Sequence, residues 1–69
     1  MVKEISIDSD YIKLDQLLKL SSVVTTGGQA KYYILEGMVL VNGEVTLQRG
    51  KKIRVGDIIE VDGETIKIV

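Results

Sequence analysis

Neither cysteine nor histidine occurs in these 69 residues, and in a chain this short no other feature limits the fold as severely. Domains of this size bury only about 60% of the surface that their unfolded chains expose, and they commonly rely on disulfides or a structural metal. Here apolar packing alone must hold the chain together. The composition allows it: 45% of residues are hydrophobic and 28% charged, outside the low-hydrophobicity regime of disordered chains. The same absence removes thiolate zinc sites, cysteine nucleophiles, imidazole bases and the Ser-His-Asp triad. The length leaves room for a single domain over residues 1–69, with no repeat, linker or low-complexity segment.

Turn signals divide that domain. Val2 to Ile7 alternates, with Ile5 and Ile7 on one face, and reads as a strand. From Tyr11 to Ser21, the residues Leu14, Leu17, Leu18 and Ser21 fall at the spacing of an amphipathic helix. Either Asp10 caps it, or the chain stays extended through Ile12 and turns helical near Leu14. Thr26-Gly27-Gly28-Gln29 has the form of a capping box, with the glutamine reaching back. It opens a second helix whose stripe is Ala30, Tyr33 and Ile34 and which stops at Gly37. Met38 to Val41, Asn42-Gly43 and Glu44-Val45 spell a hairpin. Thr46 to Arg54 is a poor strand until Ile53, and Val55-Gly56-Asp57 turns the chain into Ile58 to Val61. Asp62-Gly63 makes a second tight hairpin leading to Thr65 to Val69, where Ile66 and Ile68 share a face. The order predicts an α+β fold with two short helices on one face of a small, mostly antiparallel sheet.

Enzyme signatures fail one by one. No phosphate-loop motif surrounds Gly50-Lys51, since Val45 and Lys52 stand where it needs Gly and Ser or Thr. Asp8, Asp10 and Asp15 lack the glycine turn and closing Glu of a calcium loop and read as caps and solvated surface. Ser21, Ser22, Thr25 and Thr26 have no histidine to activate them. The chain is therefore expected to be non-enzymatic, with no metal and no cofactor. Its longest apolar run is four residues, Met38 to Val41, and Met1-Val2-Lys3-Glu4 is not the start of a signal peptide. A cytoplasmic protein without membrane association is expected.

Charge carries more information. The net charge of −1 conceals an uneven distribution: residues 1–18 carry −2, residues 19–54 carry +4 and residues 55–69 carry −3. Arg49-Gly50-Lys51-Lys52-Ile53-Arg54 concentrates four cations in six residues. A polyanion feels the field within about 8–10 Å at physiological salt, so such a patch outweighs the total charge. Gly27 and Gly28 weaken the first turn of the second helix, and two readings offset that cost. One is backbone approach to an anion at the helix N-terminus with Lys31 as a nearby cation; the other is a tight helix-helix corner. Tyr32 either stacks on a base or packs half-buried.

Taken in register, Leu14-Asp15 with Leu18, Thr26, Ala30, Ile34, Gly37, Val39, Val41-Asn42-Gly43, and Gly56-Asp57 with Ile59 resemble the S4 RNA-binding domain. The match runs from about Lys13 to Val61. Gly27-Gly28-Gln29-Ala30-Lys31 and the Asn-Gly-Glu followed by Arg49-Gly50-Lys51-Lys52 look closer still to small stand-alone bacterial S4-like proteins of the YaaA or YbcJ type. The resemblance implies the S4-like αL motif, two helices and an adjoining hairpin forming a surface for structured RNA, often ribosomal. It puts Lys13 at the basic position before Leu-Asp, Thr26 at the cap, Ala30, Ile34 and Val39 in the core, and Lys31 toward RNA. Gly27 stands where many S4 domains have an arginine, so the phosphate contact falls to Lys31 and the 49–54 cluster.

The candidate RNA-contacting set is thus Lys13, Thr26, Gly27, Gly28, Lys31, Tyr32, Arg49, Lys51, Lys52 and Arg54, with Lys31 expected on the same side as the 49–54 cluster. Its expected partner is structured RNA, ribosomal RNA or the ribosome among them. Two rivals come from other classes. A protein-interaction module would use Val2 to Ile7 or Thr65 to Val69 as an open sheet edge. A β-grasp sulfur carrier, suggested by Val-Asn-Gly-Glu, lacks the terminal Gly-Gly that activation needs, since the sequence closes on Ile66-Lys67-Ile68-Val69.

Overall fold

The computed structural model describes residues 2–69. In chain order its elements are β1 (Val2–Ile5), β2 (Ile12–Lys13), α1 (Leu14–Leu20), α2 (Gly27–Leu35), β3 (Val39–Val41), β4 (Glu44–Val45), β5 (Lys52–Ile53), β6 (Ile58–Val61) and β7 (Glu64–Ile68). Five strands form one sheet in the order β1-β7-β6-β3-β4, parallel between β1 and β7 and antiparallel elsewhere. This is the expected α+β architecture. The structure adds a second sheet, the two-stranded β2-β5 ribbon, which periodicity does not predict because two-residue strands are too short to carry a period.

Alternation builds the core. Val39 and Val41, Ile59 and Val61, and Ile66 and Ile68 point to one side of the sheet and meet Leu14, Leu17 and Leu18 of α1 and Ala30 and Ile34 of α2. Ile53 joins them from the ribbon, fully buried. Ser21 completes the α1 stripe, its hydroxyl donating to the Leu18 carbonyl at 3.0 Å. The Lys3 ammonium donates to the Ser21 carbonyl at 2.7 Å, placing a cation at the negative end of α1.

The structure corrects one boundary and one edge, and decides the start of α1. The first strand stops at Ile5, not Ile7, because its ladder on β7 ends at Ile68; Ile7 still packs against the core from the loop. Helix α1 begins at Leu14, so the extended alternative through Ile12 is the one realised. Thr65 to Val69 is no edge: β7 lies between β1 and β6, and only the Val2 end of the earlier pair lies on an edge strand.

Both short hairpins form as their turn residues dictate. Asn42 and Gly43 have φ of 53° and 85°, and Asp62 and Gly63 have 51° and 76°, the left-handed pair that two-residue turns require. Asn42 does more than turn the chain. Its Nδ2 donates to Asp57 Oδ1 at 3.0 Å and its Oδ1 accepts from the Ile58 amide at 2.9 Å, while Asp57 Oδ2 accepts from the Arg54 amide at 2.8 Å. The Asn-Gly and Gly-Asp segments, read from sequence as separate turns, are thus one polar clasp joining β3 to the start of β6. Asn42→Ala loses both side-chain bonds and forces alanine into the left-handed region. It is expected to cost about 2 kcal/mol, read as a lower urea midpoint with an unchanged slope.

Candidate nucleic-acid interface

Helix α1 starts without a side-chain cap; Lys13 occupies the N-cap position and contributes none. The first amides of a helix have no intrahelical acceptor, and here the basic segment supplies acceptors. The Leu14 amide donates to the Lys51 carbonyl at 3.0 Å and the Asp15 amide to the Arg49 carbonyl at 3.1 Å. Residues 49–51 are therefore fastened by main chain, which leaves their side chains available.

The ribbon register then arranges those cations. Ile12 pairs with Ile53 and Lys13 with Lys52. Ile53 is buried in the core, so alternation turns Lys13 and Lys52 outward, directly opposite one another and both exposed. Tyr11, one residue before β2, extends the same face: the Lys52 Nζ lies 4.9 Å from its ring centroid and the Arg54 guanidinium carbon 5.9 Å. One side of the ribbon therefore carries three cations and an aromatic ring. Among the described residues, no hydrogen bond ties the side chains of Lys13, Lys52 or Arg54 to a carboxylate. Like charges directly across a strand pair are destabilising, so stability alone does not account for Lys13 facing Lys52.

The other expected positions fall differently. Arg49 is exposed at the turn before the ribbon. Lys51 is half-buried and borders a cleft beside the β3-β4 hairpin with Asn42, Glu44, Thr46 and Gln48, away from the Tyr11 side. On α2, Lys31 and Tyr32 are exposed, and the Tyr32 ring meets Tyr33 edge-on at 5.9 Å. No hydrogen bond among the described residues links α2 to residues 49–54. Thr26 caps α2 as expected, its Oγ1 accepting from the Gln29 amide at 3.1 Å. The glutamine reaches back one residue further than a capping box predicts, accepting from the amide and hydroxyl of Thr25.

The glycine pair is not a tight corner. A Cβ at Gly27 would meet nothing within 4 Å, and one at Gly28 only Thr26 Oγ1 at 3.8 Å. Their backbone stands open at the N-terminus of α2. No group of His, Cys, Asp or Glu able to hold a metal occurs among the described residues, and none of their helices is long and apolar enough to cross a membrane. Tyr11 is the residue that sequence reading missed. Sequence leaves it either in the first turn of a helix or in an extended segment, and only its place two residues ahead of Lys13 points to the ribbon face.

The sequence and the fold match known proteins. The S4 domain family pattern covers residues 5–69. The chain belongs to the S4 domain family. It is 48% identical over 63 residues to the probable ribosome maturation protein RlbA of Bacillus subtilis (strain 168), spanning 91% of this chain and 89% of that protein. It is 36% identical over 59 residues to YbcJ of Escherichia coli (strain K12), spanning 86% and 84% of the two chains. The solution structure of YbcJ, described as revealing an αL motif involved in RNA binding, superposes with a TM-score of 0.72 at 31% identity over 99% of this chain and 85% of that one. The S4 domain match extends the Lys13 to Val61 resemblance through β7, so the acidic C-terminal hairpin is part of the domain rather than an appendage.

Proposed function

We propose that this S4 domain is a non-enzymatic RNA-binding module, residues 1–69 acting as one unit, which grips structured RNA through phosphates. The observation that carries the reading is the ribbon face on which Lys13, Lys52 and Arg54 surround Tyr11. Three cations held close against like-charge repulsion favour a polyanion, and a face with a single aromatic ring favours backbone contacts over extensive base reading. Arg49 and Lys51 extend the positive field along the turn. Lys31, Tyr32 and the open backbone at Gly27 and Gly28, beside the Thr26 cap of the Gln29 amide, add a second anchor on α2, replacing the arginine that Gly27 displaces. The description of YbcJ as RNA-binding supports the class of partner, and the name of RlbA favours ribosomal RNA or the ribosome. Such a partner favours a cytoplasmic setting.

The test is a titration against folded ribosomal RNA fragments and unstructured strands at several salt concentrations. About four to six cations neutralising a similar number of phosphates give an expected log-log salt slope of roughly −3 to −5, with folded RNA preferred and sequence of little consequence. A salt-independent affinity, or no binding at low salt, would overturn the reading and leave the β1 edge as a protein-docking strand in its place.

A further inference from the structure

Resting on the RNA-binding reading, we propose that Tyr11 is a stacking platform for one unpaired nucleotide, so that the preferred RNA is a helix interrupted by a bulged or looped base. Three features of the ribbon lead there. Tyr11 is 37% exposed although two cations lie over its ring, so part of the residue stays open to solvent. It lines a groove of about 590 Å³ together with Ser9, Asp10, Ile12, Lys13 and Gln16. Among the described residues, the side chains of Asp10 and Gln16 have no hydrogen-bond partner. The groove therefore has an aromatic wall, exposed polar side chains at its rim and Lys13 at one side, with Lys52 opposite Lys13 in the ribbon.

An unpaired nucleotide fits this slot better than a continuous duplex. In a duplex every base is stacked on its neighbours and presents no open face to an isolated ring. A splayed nucleotide brings both parts. Its phosphate engages Lys52 and Arg54, and its base stacks on the part of Tyr11 that borders the groove. Such stacking is favourable for any base, since every base has a π-face. Asp10 repels phosphate and keeps the backbone on the Lys13-Lys52 side, while the base edge faces Asp10 and Gln16.

The experiment uses the whole chain and two hairpin RNAs of identical stem, one fully paired and one carrying a single bulged 2-aminopurine. The wild-type protein is expected to bind the bulged RNA about 10-fold more tightly and to quench its fluorescence on binding. Tyr11→Ala removes the quenching and the preference, lowering the affinity for the bulged RNA far more than that for the paired stem, and Tyr11→Phe keeps both. Thermal melts of the free variants check folding, and Tyr11→Leu, which retains the apolar bulk, repeats the Tyr11→Ala pattern. Equal wild-type affinity for the two RNAs without quenching, or equal weakening of both by Tyr11→Ala, would overturn the stacking role and leave the RNA-binding reading standing. Wild-type protein that binds neither RNA at low salt would overturn both.

Discussion

Reversing charge at Lys13 and Lys52 together is expected to weaken RNA binding by about 100-fold at physiological salt and to flatten the log-log salt slope by about 2, because each lysine accounts for about one phosphate contact. Folding should hardly respond. The two side chains are exposed and directly opposed, so Lys13→Glu with Lys52→Glu replaces one like-charge pair by another. Lys52→Glu alone is the more telling variant. It puts a carboxylate across from Lys13, a change from repulsion to attraction worth about 0.2–1 kcal/mol, offset in part by the lost contact with the Tyr11 ring. Its melting temperature should match or slightly exceed that of the wild type while its affinity falls. Binding that survives either variant would remove the ribbon face from the interface. Binding lost together with folding would make the lysine pair structural.

The second large effect lies beneath that face. Ile53 is fully buried and pairs with Ile12, anchoring the ribbon to the core formed by the helices and the main sheet. Truncating a buried isoleucine to alanine costs about 2–5 kcal/mol, and to valine about 1. A chain of this length has about 3–10 kcal/mol of stability in total. Ile53→Ala is therefore expected to leave the protein marginally folded in urea titrations, and Ile53→Val to remain close to wild type. Lys52→Glu and Ile53→Ala thus separate the two sides of one strand, the outer acting on binding and the inner on folding. A cost below about 1 kcal/mol for Ile53→Ala would mean that the ribbon is not held by the core and that its cations are not fixed in place.

Much of this molecule is determined by its sequence alone, wherever the deciding physics is local. Asn42-Gly43 and Asp62-Gly63 adopt left-handed turns because their own backbones tolerate them. Leu14, Leu17, Leu18 and Ser21, and likewise Ala30 and Ile34, are buried because their spacing puts each set on one helix face. The absence of histidine and cysteine bars whole classes of chemistry before any contact is known. The interface is different, because it is made by pairing across the chain. Lys13 belongs to a stretch of net charge −2 and Lys52 to one of net charge +4, yet the two are cross-strand partners. No local pattern announces a two-residue strand; its register is set by Ile12 and Ile53 meeting against the core, and the outward cations follow from that inward contact. Tyr11 acquires its neighbours in the same way. Tertiary structure also decided that β1 lies parallel to β7 at the sheet edge, and that Asn42 reaches Asp57. Periodicity and turn chemistry specify which face of an element is buried, but only long-range packing selects the partner that buries it.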